Sequence, residues 1–152
     1  MLYLLALLIG VVAGLRAMIA PAAVAWAAHL GWIDLSATPL AFMGYAWTPW
    51  IFTLLAVAEL VTDQLPSTPS RTVPVQFGTR IVSGALCGAC LGAPSGNLVV
   101  GAVLGAIGAV IGTLGGRSVR ASLAASFGQD RPAALIEDAV AIIGAVLIVM
   151  VA

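Results

Sequence analysis

Six residues of this chain stand where their chemistry matters most: Arg16, Glu59, Asp63, Arg80, Glu137 and Asp138. Each lies inside, or at the edge of, a long apolar run. A charge in such a place costs about 2.5–3.5 kcal/mol at a membrane centre on insertion scales, so it must face a partner or a wet cavity. Arg16 sits near the middle of its run and needs an acid within reach. Glu59 and Asp63 are four apart and share a helical face. Glu137 and Asp138 open a run with just enough residues to cross a bilayer, so neither can be pushed far out of it. Two chemistries fit: a charged pathway for an ion or small solute, with carboxyls such as Glu59 or Asp138 able to carry protons, or an ionic clamp that fixes helix register.

Other chemistry is weakly represented. Pro66-Ser-Thr-Pro-Ser-Arg-Thr72 reads as a rigid, well-capped loop. Its Ser67, Thr68, Ser70 and Arg71 could instead meet a phosphate or lipid headgroup. That loop is the one candidate for an enzyme acting on lipid. Cys87-Gly-Ala-Cys90 lies among small residues and reads as packing rather than redox chemistry. His29 has no second ligand near it in sequence, so no metal site is expected. The chain shows no nucleophile–base pair, P-loop or dinucleotide fingerprint, and neither enzymatic activity nor a cofactor is expected.

The setting of these residues is unusual. The chain has 152 residues, 62% hydrophobic and 8% charged, a net charge of zero and a mean hydropathy of +1.14. Soluble domains carry about 25% charge. A folded domain of this size still exposes about a third of its surface, which excludes a soluble globular protein. Disorder and nucleic-acid binding are excluded as well. The bilayer is the expected surrounding partner, and all 152 residues read as one transmembrane domain.

The fold class this predicts is an all-α, polytopic bundle of about five spans. The first runs from about Leu2 to Leu30. It would be ~43 Å long as one helix, longer than the ~30 Å hydrocarbon core requires. It is therefore either one Pro-kinked helix or two pieces broken near Gly14-Leu15-Arg16. The second begins between Pro39 and Pro49, amid Trp32, Tyr45, Trp47 and Trp50, and ends near Leu65. The third runs from Val75 or Arg80 to Gly92, the fourth from Asn97 to about Gly115, and the fifth from Pro132 to the C-terminus. Residues 117–127 place Val119, Leu123 and Phe127 on one face and suggest a short interfacial helix. Arg71, Arg80, Arg117, Arg120 and Arg131 fall on one side of five spans and no arginine on the other. The N-terminus is then cytoplasmic and the C-terminus outside. No basic stretch precedes the first apolar run, so a cleaved signal peptide is not expected.

Glycines recur four apart at Gly84, Gly88 and Gly92, at Gly101 and Gly105, and at Gly108, Gly112 and Gly116. Such strips allow close helix contact, within the chain or in a homo-oligomer. Gly10 to Arg16 loosely matches Gly108 to Arg117, which leaves an inverted repeat open.

Gly14-Leu-Arg16, the stretch Ala58-Glu-Leu-Val-Thr-Asp-Gln-Leu-Pro-Ser-Thr-Pro-Ser-Arg71, the run from Arg80, and Leu135-Ile-Glu-Asp-Ala-Val-Ala-Ile together resemble the domain-of-unknown-function 4126 family. The resemblance covers nearly the whole chain. It implies a multi-pass protein of the bacterial inner membrane and implies no activity. The leading functional expectation is a small transporter or channel. The competing one is a scaffold or accessory subunit.

Overall fold

A computed structural model describes residues 1–62, 74–128 and 130–152. Among them are six α-helices and no strand: α1 (Leu2–Leu15), α2 (Ile19–His29), α3 (Thr48–Thr62), α4 (Pro74–Gly92), α5 (Leu98–Phe127) and α6 (Asp130–Val151). Single 3-10 turns lie at Ala41–Gly44 and Ala93–Ser95. Leu98–Phe127 and Pro132–Val151 are long and apolar enough to cross a membrane; Leu2–Leu15, Ile19–His29 and Thr48–Val61 are shorter apolar helices.

The interior is built of small residues. Ala6, Ala13, Ala20, Ala25, Ala109, Ala141 and Ala145 are buried, while Leu54, Val103, Ile107, Ile143 and Leu147 are exposed. Soluble monomers seldom expose apolar patches beyond about 300–600 Å². Small residues inside let helices touch along their backbones. The α4–α5 pair shows this. A methyl group added to Gly88 would land on Gly101 O, and one added to Gly105 would land on Gly84 O. On the other side of α5, methyl groups at Gly10 and Gly108 would meet Gly105 O and Leu7 O. From Gly84 to Gly92 and from Gly101 to Gly112 the glycine strips are therefore filled inside the chain, by α1 and α4 closing on α5.

These contacts also fix direction. Leu7 lies by Gly108, and Gly14 by Gly112 and Thr113, so α1 runs parallel to α5. Gly84 opposite Gly105 and Gly88 opposite Gly101 make α4 antiparallel to α5. Val12 near Gly144, with Arg16 paired to Glu137 and Asp138, makes α6 antiparallel to α1. α2 then turns back. Trp32, Ile33 and Asp34, just past its end, line a cavity with Met1, Leu5 and Val151.

The first apolar run thus does not cross the bundle. It enters as α1, breaks at Arg16, and returns as α2. This corrects the reading of that run as a span. The two termini lie at one end, where Met1 and Ala152 line the same cavity, rather than at opposite ends. Of the two alternatives for the run, the structure takes the break. Pro21 is its local cause, because a ring at that position cannot donate to Ala17 O and would clash with it in a continuous helix.

Two further expectations are corrected. Residues 117–127 form no separate interfacial helix but continue α5, a single helix of 30 residues. That sequence holds no proline, and glycine weakens a helix by only about 1 kcal/mol per residue. The helix stops at Gly128, whose φ of +74° gives the left-handed cap that ends it. The likeness between Gly10–Arg16 and Gly108–Arg117 also does not extend to conformation. The first breaks where the second runs through, which removes the local basis for an inverted repeat.

Candidate functional site

The break between α1 and α2 frees backbone groups that a continuous helix would pair. Buried and unpaired, each would cost about 1–3 kcal/mol. Other elements supply the partners. Gly14 O accepts from Arg80 Nη1 at 2.7 Å and from Thr113 Oγ1 at 3.4 Å. Ala17 O, the carbonyl that Pro21 cannot serve, accepts from Ser83 Oγ at 2.5 Å. The amides of Ala17 and Met18 donate to the Glu59 carboxylate at 3.1 and 3.4 Å. Arg80 therefore meets the negative C-terminal end of α1, and Glu59 meets the positive N-terminal end of α2. Both placements follow the helix dipole.

Arg16 occupies the break itself, with extended backbone at φ −143° and ψ 114°. Its side chain is 0% exposed. Nε donates to Asp138 Oδ1 at 2.5 Å, Nη2 also contacts that oxygen, and Nη1 bonds Glu137 Oε1 at 2.8 Å. Nη1 also reaches Leu15 O at 3.2 Å. One guanidinium thus holds two adjacent carboxylates of α6, a use of its planar fork that lysine could not copy. The positive fields of Arg80 and Arg16 both reach Glu59. This break, the tip of the α1–α2 hairpin, lies about 9 Å along α4 from Pro74 and about 12 Å along α6 from Asp130, inside the bundle rather than at its end.

Of the residues singled out by sequence, Arg16, Glu59, Arg80, Glu137 and Asp138 come together at this tip. Asp63, Ser67, Thr68, Ser70 and Arg71 lie outside the described residues. Arg117, one of the arginines counted on the same side as Arg80, is exposed on α5. Cys87 and Cys90 are buried in the core of α4. His29 lies far from the tip, with Nδ1 3.2 Å from Gly44 O and its ring 6.1 Å from that of Trp26. Sequence reasoning missed Ser83 and Thr113, which are 6% and 0% exposed. Their one signal was a hydroxyl side chain inside a glycine-rich, apolar run.

Ser83→Ala leaves Ala17 O without its hydroxyl donor. The expected cost is about 1–3 kcal/mol of stability. A lowered midpoint in thermal unfolding of detergent-solubilised protein checks it, with Thr79→Ala, an exposed hydroxyl on the same helix, as the control.

Two cavities open at the opposite, terminal end, of about 410 and 570 Å³. They share Ile33 and Asp34, and no residue of the charged tip lines either. Asp34 is held below the usual carboxylate range by the Ser36 hydroxyl and amide, which both donate to it.

No curated protein matches this chain, and no solved structure does. One family matches residues 3–152, nearly the whole chain: "Domain of unknown function (DUF4126)". The buried charges that the resemblance emphasised are those gathered at the break, and the chain belongs to the DUF4126 family.

Proposed function

We propose that this chain is a multi-pass protein of the bacterial inner membrane that passes a small ion or solute through its charged centre. In this reading α3, α4, α5 and α6 cross the bilayer, and α1–α2 is a re-entrant hairpin. Irregular backbone at membrane depth is tolerated only where protein buries it or it lines a cavity. Broken helices with opposed half-helix ends are how many transporters build a substrate site. The observation that carries the reading is the content of the break: two arginines, Arg16 and Arg80, set among three carboxylates, Glu59, Glu137 and Asp138. The excess of acid favours a cation as the species that passes.

The arginine-rich end, near the start of α4 and α6, is then cytoplasmic, and both termini lie outside. The exposed Trp47 and Trp50 mark the outer interface. A homo-oligomer would use outer faces such as Leu54 and Val61 of α3, because the glycine strips from Gly84 to Gly92 and from Gly101 to Gly112 are filled. No chemical step is assigned to the protein.

The test is flux in proteoliposomes, with protons, sodium and potassium as probes. Wild-type protein is expected to move at least one of them, and Glu59→Gln to reduce flux to that of protein-free liposomes. Wild-type flux in the variant overturns the pathway. A second reading, an ionic clamp in a non-transporting scaffold, is favoured by the complete burial of the Arg16 side chain. No flux of any probe, together with a lower unfolding temperature in Glu59→Gln, would select it.

A further inference from the structure

α3 is the loosely held member of the bundle. Among the described residues it packs on α2 and on the turn at Ala41–Gly44, and has no comparable contact there with α1, α4, α5 or α6. Trp50, Leu54, Val57 and Val61 leave much of its surface exposed. Its polar ties run to α2, to the turn through Thr48 Oγ1, which donates to Phe42 O at 2.6 Å, and to the tip. Trp26 Nε1 donates to Thr53 Oγ1 at 2.7 Å, and the Trp26 and Trp50 rings meet edge to face at 5.1 Å. Glu59, near the other end of α3, takes the two amides that begin the α2 segment.

Among the described residues, Glu59 is the side chain of α3 that bonds to the charged centre. From the proposed pathway, and resting on that reading, we infer that the proton is the coupling ion and that Glu59 is a proton-operated latch whose neutralisation frees α3 from the tip. Among the described residues, the charged groups facing Glu59 include Arg80 from α4 and Arg16 from the break. Behind Arg16 stand Glu137 and Asp138 of α6. α2 presents only backbone amides to it, its one titratable side chain, His29, lying at the far end. Asp63 follows on the α3 side, outside the described residues. A neutral carboxyl loses its attraction to both arginines and accepts more weakly from the two amides. The Trp26–Thr53 contact, nearer the terminal end, then acts as the pivot, and the arginine-rich end of α3 swings out. Water reaches the tip from that side.

The measurement is a spin-label distance between Val61→Cys, at the arginine-rich end of α3, and Leu114→Cys on α5, both exposed positions. The background carries Cys87→Ala and Cys90→Ala, and the protein sits in lipid nanodiscs. At about pH 8 the distribution should be single; at about pH 5, where carboxyls gain protons more readily, a second population should lie several ångströms longer. Glu59→Gln should show that second population at both values, and Glu59→Asp should keep the pH dependence. An unchanged distribution in wild-type protein at both values overturns the latch, as does a Glu59→Gln distribution equal to that of wild type at pH 8. Cation flux without movement of α3 would reject the latch and leave the pathway standing. Movement of α3 without flux would do the reverse.

Discussion

Arg16→Ala is expected to destabilise the protein by about 3–5 kcal/mol, the usual cost of stranding a buried charge by removing its partner. Two buried carboxylates lose their guanidinium here, because Glu137 and Asp138 both face Arg16 and are 7% and 8% exposed. The variant should fail to accumulate, or should unfold at a much lower temperature in detergent. Arg16→Lys should recover only part of the loss, since an ammonium cannot present Nε and Nη1 to two acids at once. The informative companion is the triple variant Arg16→Met, Glu137→Leu, Asp138→Leu. Replacing a whole buried ion set with apolar groups is often near neutral. Recovery of stability in the triple variant, with loss of flux, would show that the ions are kept for function. A triple variant as unstable as Arg16→Ala would mean that the ions hold the break together.

The second large effect is expected at Gly105, where α1, α4 and α5 meet. A methyl group there would strike Gly84 O, and the position also faces Gly10 and Gly88. All the neighbours are backbone, so no side chain can move aside. Overpacking typically costs about 1–3 kcal/mol, and Gly105→Ala should reach or exceed the upper end because two helices must separate together. Gly115→Ala is the matched control on the same helix, with nothing within 4 Å of the added carbon. It should be neutral, or stabilising by up to about 1 kcal/mol through helix propensity. Thermal unfolding of both variants in one detergent checks the pair. Equal effects would mean that α5 is not packed as described.

Much of the site was legible because a charge in an apolar run is conspicuous. Arg16, Arg80, Glu137 and Asp138 could be chosen on cost alone, and the prediction that Arg16 needs an acid within reach is met twice. The partners of the broken backbone were not legible. Ser83 and Thr113 look like ordinary small residues until Pro21 has freed a carbonyl beside one of them and the end of α1 has met the other. The direction of α2 was hidden for a related reason. Hydropathy measures how much of a run is apolar, and it carries no information on whether the chain goes on or turns back. A run of ~43 Å with a proline past its middle was the available hint. The arginine asymmetry is compatible with the proposed topology, since α4 and α6 both begin at the arginine-rich end; in that proposal the N-terminus would lie outside.

The sharpest test of the pathway is water access at the tip. Met18 adjoins the Glu59 carboxylate through its amide and is only partly buried, so Met18→Cys probes the tip without removing a charge. The protein would carry Cys87→Ala and Cys90→Ala, and a membrane-impermeant thiol reagent would be applied to each face of sealed vesicles. A water-filled route predicts labelling from the arginine-rich face, slowed when Glu59 keeps α3 latched and faster in Glu59→Gln. Absence of labelling from either face, in protein shown to be folded and in both backgrounds, would contradict the pathway and leave the tip a dry ionic clamp.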